Sequence, residues 1–322
     1  MNLRSTARDL IWHPDEHRPR TPVRIAGGAL VLGVLTLLVT VAQIAVLATF
    51  EVTLITASTT ALTLVSIGAS AVATVVGVWV AGRYLDRRRF VDYGLRIDRD
   101  WWLDCAFGLA LGALLMTGVF LAKLAGGWLA VESVGAAGEA LLVSVIAAVV
   151  LFVLVGVYEE LLIRGYLLTN LAEGARGTFG ERGAIVFAVL VSSVAFGAFH
   201  ASNPGATLLS VTNISIAGVM LALGYVLTGE LAIPIGLHVT WNLFQGTVYG
   251  FPVSGLEFGR SVVVVETTGP RLITGGGFGP EAGLIGLGAM VAGSLLTVAW
   301  VRYRYGGLAL ETDVAVPDLR GR

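Results

Sequence analysis

One cysteine, one lysine and few charges of either sign set this chain of 322 residues apart. The lone thiol, Cys105, excludes an intrachain disulfide and any metal site built on cysteines. It reads as a small apolar filler near a helix start. Charged residues make up only 13% of the sequence, where an average soluble domain carries about a quarter. With 56% hydrophobic residues and a mean hydropathy of +0.82, the chain falls in the membrane class. Internal repeats are absent, and the only low-complexity tract is Gly275-Gly276-Gly277. Residues 1–24 are polar and lack the apolar core and small-residue cleavage site of a signal peptide, so they read as a cytoplasmic tail.

What the sequence does hold is apolar runs. Eight are long enough to cross about 30 Å of hydrocarbon, near 25–50, 53–82, 103–125, 139–163, 183–200, 206–228, 231–250 and 282–303. The expected fold is all-α and polytopic, and its 42 glycines suit close helix approach in lipid. Basic residues test the count. With the N-terminus inside, the inner segments hold Arg4, Arg8, Arg18, Arg20, Arg24, Arg83, Arg87, Arg88, Arg89, Arg96, Arg99, Arg164, Arg176, Arg182, Arg302, Arg304, Arg320 and Arg322. Only Lys123, Arg260 and Arg271 fall outside, a strong positive-inside bias that puts both termini in the cytoplasm. Trp101, Trp102 and Tyr303 stand where aromatic belts are expected. Residues 83–102 read as a cytoplasmic surface loop. Residues 251–281 read as a long outer loop, a solvent loop or else a cap over the outer face, in which 261–268 and 271–274 can pair as a short hairpin.

Five polar side chains interrupt the apolar runs: Glu159, Glu160, His200, His238 and Asn242. A charge at membrane depth costs roughly 2.5–3.5 kcal/mol on insertion scales, so each needs a partner or a function. Glu160 and Arg164 are four apart on one helix face, with the glutamate on the favoured N-terminal side. Glu159 is turned about 100° away and is free to address a cavity. Phe196 lies one turn below His200 and can shield or orient its ring. His238 and Asn242 share a face and can both donate to one developing oxyanion. Pro234, one turn before His238, is expected to loosen that helix. For Glu159 and His200 to meet, the fourth helix has to run past Arg164 to about residue 172. Each motif also has a structural reading, as an ion pair or as an interhelical hydrogen bonder.

Glu159-Glu160-x-x-x-Arg164, Phe196-x-x-x-His200 and His238-x-x-x-Asn242, in that order, resemble the three motifs of the CPBP family, the type II CAAX prenyl endopeptidases and their bacterial Abi relatives. The likeness covers about residues 139–250. It implies an intramembrane peptidase in which Glu159 activates water, His200 assists, and His238 with Asn242 stabilises the oxyanion. Glu160 and Arg164 would then be supports. Family members are often labelled metalloproteases. If Zn²⁺ is bound, Glu159, His200 and His238 would hold it, although no His-Glu-x-x-His motif is present.

The chain then divides into a tail (1–24), three N-terminal membrane helices (25–138), a CPBP-like catalytic core (139–303) and a C-terminal tail (304–322). Expected partners are a peptide or protein substrate, membrane-associated or lipidated, and the bilayer itself, with no nucleic acid. A single lysine against twenty arginines points to a GC-rich prokaryotic genome and hence to a plasma membrane. Two other readings compete: a non-catalytic membrane immunity or binding protein of the same fold, and an ion-coupled transporter. A transporter would more often show matched halves with broken helices, and no such symmetry is visible.

Overall fold

The structure is a computed structural model and describes residues 11–49, 59–135, 138–317 and 319. Arg4, Arg8, Arg320, Arg322 and the first part of the second apolar run (53–58) lie outside the described residues. The protein is an all-α polytopic membrane protein. After a two-residue bridge between β1 (Trp12–His13) and β2 (Arg18–Pro19) come α1 (Thr21–Thr49), α2 (Thr59–Ala81) and α3 (Arg99–Ala125). Strand β3 (Leu129–Val134) leads to α4 (Glu139–Glu160), which continues through a π-helical segment, Leu161–Leu168, into α5 (Thr169–Phe199). Then follow α6 (Leu208–Thr228), α7 (Ala232–Asn242) with a π-helical extension to Val248, β4 (Val263–Thr267) and α8 (Leu284–Tyr305).

Local sequence explains the ends. Asp98 caps α3 by accepting from the Trp101 N–H at 2.8 Å, and Thr207 with Ser210 forms a capping box on α6. Among the described residues six stretches are long and apolar enough to cross a membrane. One of them, Ala140–Phe199, has 60 residues, far more than the roughly 20 a span needs. It breaks at Gly180, whose φ of 67° and ψ of 175° suit glycine alone, and so forms two arms. The first arm runs well past Arg164, farther than the depth argument required.

Glycines set the close approach of α3 and α7. A Cβ at Gly108 would sit 2.4 Å from the Ile233 carbonyl oxygen, and one at Gly236 would sit 2.4 Å from that of Cys105. Helices α3 and α7 therefore pack backbone to backbone, which lipid alone would not drive. Among the described residues two large apolar clusters fill the interior, beside a smaller one of Ala148, Leu151, Phe152 and Val253. One gathers Tyr93, Trp101, Tyr166, Tyr225 and Leu231 near the arginine-rich end. The other gathers Met116, Phe196, Leu237, Trp241, Phe278 and Met290 toward the opposite end.

Several sequence expectations need correction. Residues 83–102 are not a plain surface loop, because Asp86, Arg88 and Tyr93 are buried. Glu173, on the extended first arm, pairs with Arg18 at 2.9 Å, with Arg24 at 2.8 Å and with Arg88. Asp86 accepts from Tyr93 at 2.6 Å and from Asn170 at 2.7 Å. The helix overhang brings a carboxylate to the arginines, and pairing makes their burial tolerable. Trp101 is no belt residue: it is buried and donates to the Gly94 carbonyl, while Trp102 and Tyr303 are exposed. Pro234 does not loosen its helix. It is the third residue of α7, in the first turn, where a missing N–H costs little.

The 261–274 hairpin does not form. Val263–Thr267 pairs antiparallel with Leu129–Val134, with a bulge between Val131 and Ser133, and Arg271–Thr274 is a helical turn. The longer β3 offers a fuller hydrogen-bond ladder than four residues after a Gly-Pro turn could. Nor is 251–281 a solvent loop throughout, since Phe251, Val253, Phe278 and Glu281 are buried.

Candidate active site

The site begins with a close approach. Gly156 on α4 faces α7, where a Cβ would lie 2.8 Å from Val239 Cγ2. One turn later, Glu160 can therefore reach across the gap. Its Oε1 accepts from Arg164 Nη1 at 2.8 Å and from His238 Nδ1 at 2.8 Å. Arg164 also donates to the Gly218 carbonyl of α6 at 3.0 Å, and its guanidinium lies 4.5 Å from the Phe196 ring centre. Glu160 and Arg164 are fully buried. The i,i+4 pairing expected from the sequence is present, but Glu160 has a second role that the sequence did not show. It fixes the ring of His238.

A carboxylate can only accept, so His238 Nδ1 carries the proton and Nε2 points elsewhere. That nitrogen lies 3.9 Å from Glu159 Oε2, a gap that an oxygen atom can bridge. Glu159 is about one-fifth exposed, and its Oε1 accepts from the Tyr158 hydroxyl at 3.3 Å. His200 is half-buried at the end of α5. Its Nδ1 donates to the Phe196 carbonyl oxygen at 2.8 Å, which leaves Nε2 available. The Phe196 ring stands edge-on to both imidazoles, 4.9 Å from His200 and 6.2 Å from His238 between centres. Asn242 makes no hydrogen bond through its side chain to any described residue and is 9% exposed.

All four candidate catalytic residues (Glu159, His200, His238 and Asn242) line one cavity of about 350 Å³. Apolar side chains form most of the remaining wall, among them Phe152, Val155, Leu221, Leu237 and Trp241. The cavity therefore lies between the fourth, fifth and seventh helices as numbered along the chain, with α6 and the 251–281 segment closing it further. Such a pocket, apolar with a few convergent polar groups, is the usual form of a small reaction chamber.

The sequence missed part of this lining. Asn203, Ser254 and Glu281 also face the cavity. Asn203 donates to the Ser254 carbonyl at 2.9 Å. Glu281 is buried, accepts from Gln245 at 2.5 Å and takes the Ser254 N–H. Burial pushes its carboxyl up to about 7. Asn203-Pro204-Gly205 reads simply as a turn, and Glu281 stands in a Gly/Pro-rich stretch without period, so neither carried a signal.

The donor set also bears on zinc. Among the described residues no group of three His, Cys, Asp or Glu side chains is placed to hold a metal ion, so Glu159, His200 and His238 do not converge as ligands in this geometry.

No curated protein and no solved structure matches the chain. Residues 141–244, which carry every motif residue from Glu159 to Asn242, match the Rce1-like family, described as type II CAAX prenyl endopeptidase Rce1-like, a likeness over about a third of the chain that is consistent with the CPBP family.

Proposed function

We propose that this protein is an intramembrane endopeptidase that hydrolyses a peptide bond with a glutamate-activated water. The family is one of proteases in general, and the chain is an integral membrane protein; the mechanism is the inference. Water sits between Glu159 and His200 Nε2. Glu159 takes one of its protons as the oxygen bonds to the scissile carbonyl carbon. The resulting oxyanion accepts from the Asn242 amide and from Nε2–H of His238, which enters as the imidazolium. Glu160 holds the other N–H of that ring and lies between the positive charges of His238 and Arg164. Glu159 then returns its proton to the leaving amine as the C–N bond breaks, which restores the starting state.

One observation carries this reading: Glu159, His200 and the pair His238 and Asn242 come from three helical segments and line one cavity. The test is hydrolysis of a pool of internally quenched peptides by the purified protein in detergent. Wild type cleaves, Asn242→Ala and Glu159→Gln lose cleavage, and washing with a strong chelator leaves the wild-type rate unchanged. Cleavage that persists in Glu159→Gln would sink the mechanism. Cleavage lost on chelation and restored by zinc would replace it with a metal-dependent one.

A further inference from the structure

Three features of the molecule together say from which side the cavity is entered. The first is charge. The buried cluster of Arg18, Arg24 and Arg88 with Glu173 and Asp86 marks one end of the helix bundle, and Arg304 with Asp100 at 2.5 Å belongs to the same end. Gly94 and Leu231 lie there as well, joined by a 2.8 Å hydrogen bond. Counting the stretch 140–199 as two passes and α7 with its extension as one more gives eight passes, which keeps the arginine-rich end inside under the positive-inside rule.

The second feature is depth. From Leu231, His238 is seven residues along α7, or about 10 Å, and Asn242 about 16 Å. Down α6 from Asn213, which binds the Glu281 carbonyl at 3.0 Å, to Thr228 is about 22 Å. The cavity thus starts near mid-membrane at Glu159 and rises away from the arginines, through His200, to Asn203, Ser254, Leu256 and Glu281.

The third feature is the floor. Toward the arginines the cavity ends on Leu162, Ile163 and His238, and behind them Glu160, Leu161, Arg164, Tyr166 and Leu168 are buried. The two cavities at the arginine-rich end, of about 300 and 340 Å³, share no lining residue with it. At the other end Leu256 is 42% exposed.

We infer that the site is served from the face opposite the arginines, so that its substrate is a polypeptide displayed on the extracytoplasmic side of the membrane. A cytoplasmic C-terminus would meet a closed floor. This deepens the peptidase reading and rests on it for the word substrate; the side of entry does not.

The experiment replaces Cys105 by serine and introduces single cysteines. Leu272→Cys and Tyr84→Cys, both at exposed positions, report the orientation of the two faces, and Asn242→Cys reports the depth of the cavity. A small charged, membrane-impermeant methanethiosulfonate is added to intact cells. We expect reaction at positions 272 and 242 and none at 84 until the cells are permeabilised. Position 242 blocked from outside but reactive from the arginine side overturns the inference, and so does position 84 reacting in place of 272. A second arm supplies impermeant sulfonated quenched peptides to sealed vesicles of each orientation. Hydrolysis is expected only where the 251–283 face is outward, and hydrolysis only at the arginine face overturns the inference. No hydrolysis even in detergent removes the peptidase reading, while the labelling of position 242 still decides the side.

Discussion

Glu173 and Asp86 meet Arg18, Arg24 and Arg88 at the arginine-rich end; thirteen residues up the same continuous helix, about 20 Å away, Glu160 meets Arg164 and His238. The two groups use the same vocabulary. Each has a fully buried carboxylate shared among cations, and each ties several segments together. They differ in what the outermost members face. In the lower group every named charge ends on another charge, and the group joins the N-terminal tail, the 83–96 segment and the helix overhang. In the upper group the chain of contacts ends on His238 Nε2 and Glu159, which face the cavity together with Asn242. Buried charge alone therefore marks neither chemistry nor its absence. An unsaturated polar edge on a cavity does.

Paired substitutions break this comparison most sharply. Glu173→Gln leaves three buried arginines short of a counter-charge, a loss of roughly 3–5 kcal/mol for a broken buried pair. We predict a clear fall in folded yield and Tm, with the surviving protein keeping its kcat. Glu159→Gln should do the reverse, cutting kcat by about 10²-fold or more with Tm unchanged. Equal Tm losses in the two variants would erase the distinction drawn between the groups.

Glu160 belongs to both categories, and its variant is the next test. Glu160→Gln leaves Arg164 as an unpaired buried cation, and yield should fall first. Adding Arg164→Met removes that cation and should restore part of the yield. Activity should stay low, because His238 Nδ1 no longer meets a carboxylate and the imidazolium loses its counter-charge. Recovery of activity together with yield would reduce Glu160 to a structural ion pair, the role the spacing alone gives it.

The smallest expected effect is a pH dependence at the mouth. The Glu281 carboxyl, raised by burial from an ordinary 4.5 to about 7, binds more protons in the folded protein than in the unfolded one between those values. Its contribution to stability therefore falls as pH rises from about 4.5 to about 7 and is flat outside that window. Glu281→Gln should flatten this part of the Tm-against-pH curve measured in detergent. An unchanged slope would mean that Glu281 does not titrate as its burial requires.

Much of the candidate site was legible because lipid makes polar residues conspicuous. Glu159, Glu160, His200, His238 and Asn242 stand out in apolar runs, and helical spacing alone put Glu160 with Arg164 and turned Glu159 away. The residues that escaped were in polar or turn-rich surroundings. Glu281, Ser254 and Asn203 stand in turn-rich stretches with no long apolar run to set them off, and they come to the cavity only when 251–282 folds back over the helices. The strand pairing was missed for a related reason. Val263–Thr267 has the composition of a strand, but its partner, 129–134, is more than a hundred residues away.

The sequence by itself determined that this chain lives in a bilayer, which segments are apolar enough to enter it, and which side chains are too costly there to be idle. Those follow from local composition and helical period, since the bilayer acts on each segment separately. Tertiary structure decided that Glu160 serves His238 as well as Arg164, that the outer segment closes the cavity, and that the arginine loop is buried. These depend on how closely two helices approach, set at Gly156 by its contact with Val239 far along the chain, and on where a long helix overhangs before its break at Gly180.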